Sequence, residues 1–74
     1  MIEKKFVVSI GLEVVYDGAE LDYQTEEELF DTYEQARARA ESIKIGDVMG
    51  EYDDGAECRV LYVDLDDEPQ DILF

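Results

Sequence analysis

From Phe6 to Tyr16 an apolar residue stands at every second position: Phe6, Val8, Ile10, Leu12, Val14 and Tyr16. This period of two is that of a strand with one buried face, and it does not fit a helix. The intervening positions, Lys5, Val7, Ser9, Gly11, Glu13 and Val15, are mixed and form the other face, with Gly11 a site for a bulge or bend. Asp17-Gly18 follows at once and supplies a two-residue hairpin turn, since both central positions need positive φ. That turn sets Val14 opposite Leu21 and Leu12 opposite Tyr23. Continued unbroken, the same register would carry Glu27 opposite Val8, on the core side. A bulge or break is therefore expected between Gln24 and Glu28.

The stretch Leu29 to Gly46, LFDTYEQARARAESIKIG, contains an amphipathic helix. It begins at Asp31 or Thr32, because Asp31-x-x-Glu34 and Thr32-x-x-Gln35 both satisfy the capping-box pattern. Tyr33, Ala36, Ala40 and Ile43 fall on one face, with Arg37, Arg39 and Glu41 outside it. Alanines in mid-face let the helix axis approach a sheet closely, so this stripe reads as core rather than as a cofactor site. Gly46 is the expected terminator, with Lys44 in the basic position near the last turn.

A second hairpin is expected from Val48 to about Asp66, closed by the three-residue loop Asp53-Asp54-Gly55 with Gly55 in the left-handed position. It aligns Tyr52, Gly50 and Val48 with Ala56, Cys58 and Val60, and sets Glu51 opposite Glu57 as an unfavourable like-charge pair. By strict alternation, Cys58–Leu65 has two apolar faces, Cys58, Val60 and Tyr62 on one and Leu61, Val63 and Leu65 on the other. A helix on one side of a sheet covers only one of them. The second is left for Ile72-Leu73-Phe74, folding back after Pro69, or for a second copy of the chain in a homodimer. The expected fold is thus α+β: an antiparallel β-sheet of two hairpins with one α-helix packed on a face, ββαββ, as a single domain over residues 1–74. Strand order is not legible from these patterns.

The composition narrows the chemistry. In 74 residues there is no histidine, one cysteine, and only Ser9 and Ser42 as serines, so no nucleophile–base pair other than carboxylates exists. The expectation is a protein that is not an enzyme. Cys58 has no disulfide partner and reads as a small buried hydrophobe. The run Asp64-Leu65-Asp66-Asp67-Glu68 with Asp71 offers oxygen donors but lacks the glycine and terminal glutamate of a calcium loop. No glycine-rich phosphate loop is present, and neither metal nor cofactor is expected. Two lysines before an apolar run give the N-terminus a superficial likeness to a signal peptide. Glu13 interrupts that run, and no small-residue cleavage site follows. No apolar stretch has the length to cross a bilayer, so a cytoplasmic location is expected.

Twenty-one Asp and Glu oppose six Lys and Arg, a formal net charge of −15. Between Lys5 and Arg37 lie nine carboxylates and no base; after Arg59 come five more acids and again no base. At 46% hydrophobic residues with one proline, this is not a disordered acidic tail. Self-repulsion on this scale destabilises a small compact domain, which points to a use for the charge against a basic partner. Direct contact with nucleic acid or an acidic membrane is disfavoured, since both would repel it. The candidate partner-binding residues are Glu26, Glu27, Glu28, Asp31 and Glu34 as one patch. Asp53, Asp54, Asp64, Asp66, Asp67 and Glu68 form a second. Outward carboxylates on a strand recur every 6.5 to 7 Å or so, a spacing comparable to that of a nucleic-acid backbone.

In size and charge the chain resembles phage-encoded DNA-mimic inhibitors, the antirestriction and anti-CRISPR proteins. The resemblance is compositional over the whole chain, so it transfers no individual residue. It implies a stoichiometric inhibitor, acting in the host cytoplasm, that occludes the basic nucleic-acid-binding or PAM-reading surface of a nuclease complex. Two other readings fit the same composition: an antitoxin or immunity protein for a basic toxin, and a salt-adapted soluble housekeeping domain.

Overall fold

A computed structural model of the chain describes residues 1–52 and 54–74. The elements are β1 (Ile2–Tyr16), β2 (Ala19–Phe30), α1 (Tyr33–Ser42), β3 (Val48–Glu51), β4 (Glu57–Leu65) and β5 (Gln70–Leu73). The class is α+β, as expected, with five strands rather than four. The sheet order is β2-β1-β4-β3, all antiparallel, and β5 pairs with the first residues of β1, Ile2 with Leu73 through Lys5 with Gln70. The long alternating strand is therefore the spine, and every other strand except β3 is hydrogen-bonded to it. The body is a blade of 42 × 25 × 16 Å with a radius of gyration of 14.1 Å. A compact chain of this length would have about 11 Å.

The first hairpin turns as anticipated, with Asp17 at φ 51° and Gly18 at φ 79°. Its register is different. Tyr16 pairs with Ala19 and Val15 with Glu20, but Val14 then pairs with Asp22, so Leu21 is an extra, bulged residue. The bulge falls before the Gln24–Glu28 stretch where it was expected. Beyond it Leu12 pairs with Gln24, Ile10 with Glu26, Val8 with Glu28 and Phe6 with Phe30. Leu21 and Tyr23 are consequently 60% and 62% exposed instead of facing the core. The shift brings Phe30 against the core and turns Glu27 away from it.

A second bulge resolves the two apolar faces of β4. Gly11 pairs with Tyr62 but Leu12 with Val60, so Leu61 is extra and the alternation reverses there. Cys58 and Val60 before the bulge, and Val63 and Leu65 after it, all meet the same core. The assignment of Leu61, Val63 and Leu65 to a separate apolar face is thus corrected, and with it the premise for covering that face by a second copy. Tyr62 turns outward and lies over Gly11, where a Cβ would fall inside its ring. Nor does the C-terminus cover a face of β4: it joins β1 edge-on as β5.

The helix starts where Thr32 Oγ1 accepts the amide of Gln35 at 3.2 Å, one of the two expected caps. It ends at Ser42, four residues before Gly46, with Ile43 already extended. Gly46, at φ 89°, instead shapes the Lys44–Asp47 turn that leads into β3. In the second hairpin Gly50 pairs with Cys58 and Glu51 with Glu57 as expected, while Val48 pairs with Arg59 rather than Val60 because Met49 is bulged. The Tyr52 amide bonds to Ala56 O at 2.8 Å, and Gly55 has φ 92°.

The core lies between α1 and one face of the sheet: Val8, Ile10, Leu12, Val14, Ala36, Ala56, Cys58 and Val60. Phe6 meets Tyr33 of the helix edge-to-face, centroids 5.8 Å apart. Among the described residues no second layer lies over the opposite face of the sheet.

Candidate functional site

That opposite face is built from the odd positions of β1 and the residues paired with them. Three rows cross it: Glu27–Ser9–Asp64, Thr25–Gly11–Tyr62 and Tyr23–Glu13–Arg59. At one end Val15 is flanked by Glu20 and Glu57, and Glu57 by Glu51. Sheet geometry fixes the spacing, with neighbouring strands about 4.8 Å apart, so Glu27 and Asp64 stand roughly 10 Å apart across Ser9. With Asp66 they border a shallow groove of about 270 Å³ floored by Val7 and Ser9.

One strong cation, Arg59, sits within these rows, and its guanidinium is taken by Glu57 at 2.9 Å. The other ion pairs lie on the helix or at the β1 terminus: Arg39 with Glu28, Arg37 with Glu41, Lys4 with Asp71, and Lys5 with Glu3 and Asp31. Glu13, Glu20, Glu27, Asp64 and Asp66 form no ion pair among the described residues. Glu13 and Glu20 instead share a site. Partial burial, then the neighbouring Glu20 carboxylate, push the Glu13 carboxyl above its usual range. The Tyr23 hydroxyl, which donates to Glu20 at 2.6 Å, and then Glu13 hold Glu20 below that range. The arrangement is a pair of interacting carboxyls, their pKa values moved in opposite directions, beside a tyrosine.

The expected patches are only partly assembled. Glu26, Glu27 and Glu28 are adjacent in sequence but alternate in direction: Glu27 lies on the uncovered face, Glu26 and Glu28 on the helix side. Glu28 accepts from Arg39 Nε and Nη2 at 2.7 and 3.1 Å, so it ties β2 to α1. Asp31 accepts from Lys5 Nζ. Glu34 is exposed in the first helical turn. Of the second patch, Asp64 and Asp66 join Glu27 at the groove, with Asp66 accepting from Gln70 at 2.9 Å. Asp67 and Glu68 are exposed in the turn before β5. Asp54 accepts the Ala56 amide at 3.1 Å, and Asp53 lies outside the described residues. Glu13, Glu20 and Glu57 were missed as members of the surface. Their signal was the period-two alternation itself, which places Glu13 on the face of β1 that points away from the core.

Among the described residues no group of three or more His, Cys, Asp or Glu side chains is placed to hold a metal ion. Cys58 is buried in the core with a free thiol. No helix among them is long and apolar enough to cross a membrane. Comparison with known proteins finds no family model, no curated protein and no solved structure that matches this chain.

Proposed function

We propose that the protein is a non-enzymatic acidic inhibitor that seats its uncovered sheet face in the nucleic-acid-binding surface of a basic protein. Such a partner is a nuclease complex of the kind that phage anti-defence proteins block. The observation that carries this reading is the groove face, where Glu27, Asp64 and Asp66 form no ion pair among the described residues, while Lys4 at the groove's end is paired with Asp71 and Arg59 with Glu57. An anionic, rigid, regularly spaced surface attracts a cleft lined with Lys and Arg, speeds encounter and makes it salt-sensitive. Glu26 and Glu34 remain available on the helix side for a partner that wraps the β2 edge.

The test is competition. The immobilised protein captures basic proteins from a host lysate at low salt, and each captured protein is assayed for binding labelled duplex DNA or RNA as this chain is added. Displacement of the nucleic acid at stoichiometric inhibitor is expected. The triple variant Glu27→Lys, Asp64→Lys, Asp66→Lys should weaken it. At about 1 to 1.5 kcal/mol per reversed site, the loss is roughly a hundredfold or more. Unchanged inhibition by that variant, or captured partners whose nucleic-acid binding is undisturbed, would refute the reading.

A further inference from the structure

β2 is an edge strand along its whole length: it pairs with β1 on one side, and among the described residues no strand pairs with the other. From Asp22 to Phe30 its register against β1 is unbroken. Its backbone groups therefore point alternately toward β1 and away from it. The Tyr23 amide is bonded by the Asp22 carboxylate at 2.8 Å, which sets the phase. The N–H and C=O groups of Tyr23, Thr25, Glu27 and Leu29 face outward. An edge of this length is a template for a further strand, whereas β3 and β5 span only four residues each.

Charge selects the occupant. Glu26 and Glu27 are exposed on opposite faces of the edge and form no ion pair among the described residues, Glu28 being held by Arg39. A second copy of β2 would set its own carboxylates against these, and like charges facing across strands are unfavourable. A segment with Lys or Arg at successive positions meets an opposite charge on both faces. On the uncovered face Tyr23 and Leu29, 62% and 40% exposed, add apolar contact at either end.

We propose that the Asp22–Phe30 edge of β2 accepts an extended, lysine- or arginine-rich segment of a partner protein as an added β-strand. This rests on the free backbone edge and not on mimicry of nucleic acid, so the two stand or fall separately. The probe is a labelled peptide of about ten residues in which adjacent lysine pairs are separated by threonine–valine pairs, so that lysines stand on both faces of the added strand. A control carries the same sequence with two adjacent central amides N-methylated, which blocks both of its edges and keeps its charge. Fluorescence anisotropy should show binding of the first and loss of at least about tenfold for the second. Hydrogen exchange should slow at the amides of Thr25, Glu27 and Leu29. Thr25→Pro, tolerable where the amide faces solvent, should also abolish binding. Asp64→Lys with Asp66→Lys should leave it within about twofold. Failure of the unmodified peptide to bind, or equal binding of both peptides, overturns the proposal, and the peptide pair decides even if the proline variant does not fold.

Discussion

Glu26, Glu27 and Glu28 are chemically alike and consecutive, yet the fold gives each a different surrounding, so neutralising them one at a time measures the β1–β2 register. Glutamine preserves shape and removes charge. At position 28 it breaks a two-pronged bond with Arg39, at 2.7 and 3.1 Å, in which both side chains are about one-third exposed, 31% and 37%. Exposed ion pairs contribute about 0.2 to 1 kcal/mol, while hydrogen bonds to charged groups reach about 1.5 to 3. A half-shielded bidentate pair falls between, so Glu28→Gln should cost about 1 to 2 kcal/mol. In a domain of this size that lowers Tm by roughly 5 to 15 °C. Glu26→Gln and Glu27→Gln remove unpaired charge from a chain of net −15, so each should be neutral or slightly stabilising, within about 0.5 kcal/mol. Circular-dichroism melts of the three variants, with Arg39→Gln and the 28/39 double variant to close a cycle, provide the measurement. A penalty at Glu27 in place of Glu28 would mean that β2 lacks its bulge at Leu21. Equal effects at all three would mean that the Arg39 pair holds nothing together.

Gly11→Ala should destabilise by about 1 to 3 kcal/mol, because the added methyl occupies the space of the Tyr62 ring. In a Tyr62→Ala background most of that cost should vanish, and urea titrations of the four proteins would expose an additive result that contradicts the packing. Glu13→Gln probes the shared acid site. A carboxyl raised above its ordinary value stabilises the fold while protonated and loses that contribution as pH rises through its folded pKa. Glutamine still donates to Glu20 but never ionises. The variant should therefore match the parent at low pH, gain on it as pH rises through the folded pKa of Glu13, and keep a constant lead above it; a difference independent of pH would defeat the assignment.

The elements carried by local chemistry were legible in the sequence. The β1 alternation, the Asp17-Gly18 turn, the Thr32 cap and Gly55 each depend on residues within a few positions of one another, and each is found. The faces of β2 and β4 were not, because each is decided by a single bulged residue. Leu21 and Leu61 look like ordinary strand hydrophobes, and nothing local marks them as extra. What selects the Leu21 bulge is the far end of the pairing, where Phe30 reaches the core and Glu28 reaches Arg39. What selects the Leu61 bulge is the joint burial of Val60 and Val63. Such choices are made by contacts distant in sequence. For the same reason the acidic triplet read as one patch when the pleat divides it between two faces.

The distribution of cations explains why a chain of such charge can fold and where its surplus must lie. Lys4 joins β1 to β5, Lys5 joins β1 to the end of β2, and Arg39 joins α1 to β2. Arg37 and Arg59 pair within their own elements. Among the described residues five of the six cations are thus committed to internal pairs, three of them between elements. Among the described residues the acids left over fall on the uncovered face, in the first hairpin, in the first turn of α1 and in the turns. A blade 42 Å long helps, because charges at its ends are several screening lengths apart, the Debye length being about 8 Å at physiological salt. Within the uncovered face Asp64 and Asp66 are about 7 Å apart along the chain and Glu27 stands roughly 10 Å across from Asp64, about one screening length, so repulsion there is only partly screened. Glu20 is eased by the Tyr23 hydroxyl that donates to it; Glu27 and Asp64 accept no side-chain hydrogen bond among the described residues. A cationic cleft seated on this face would gain the attraction and also remove the repulsion stored among these carboxylates, which a scattered acidic surface would not offer.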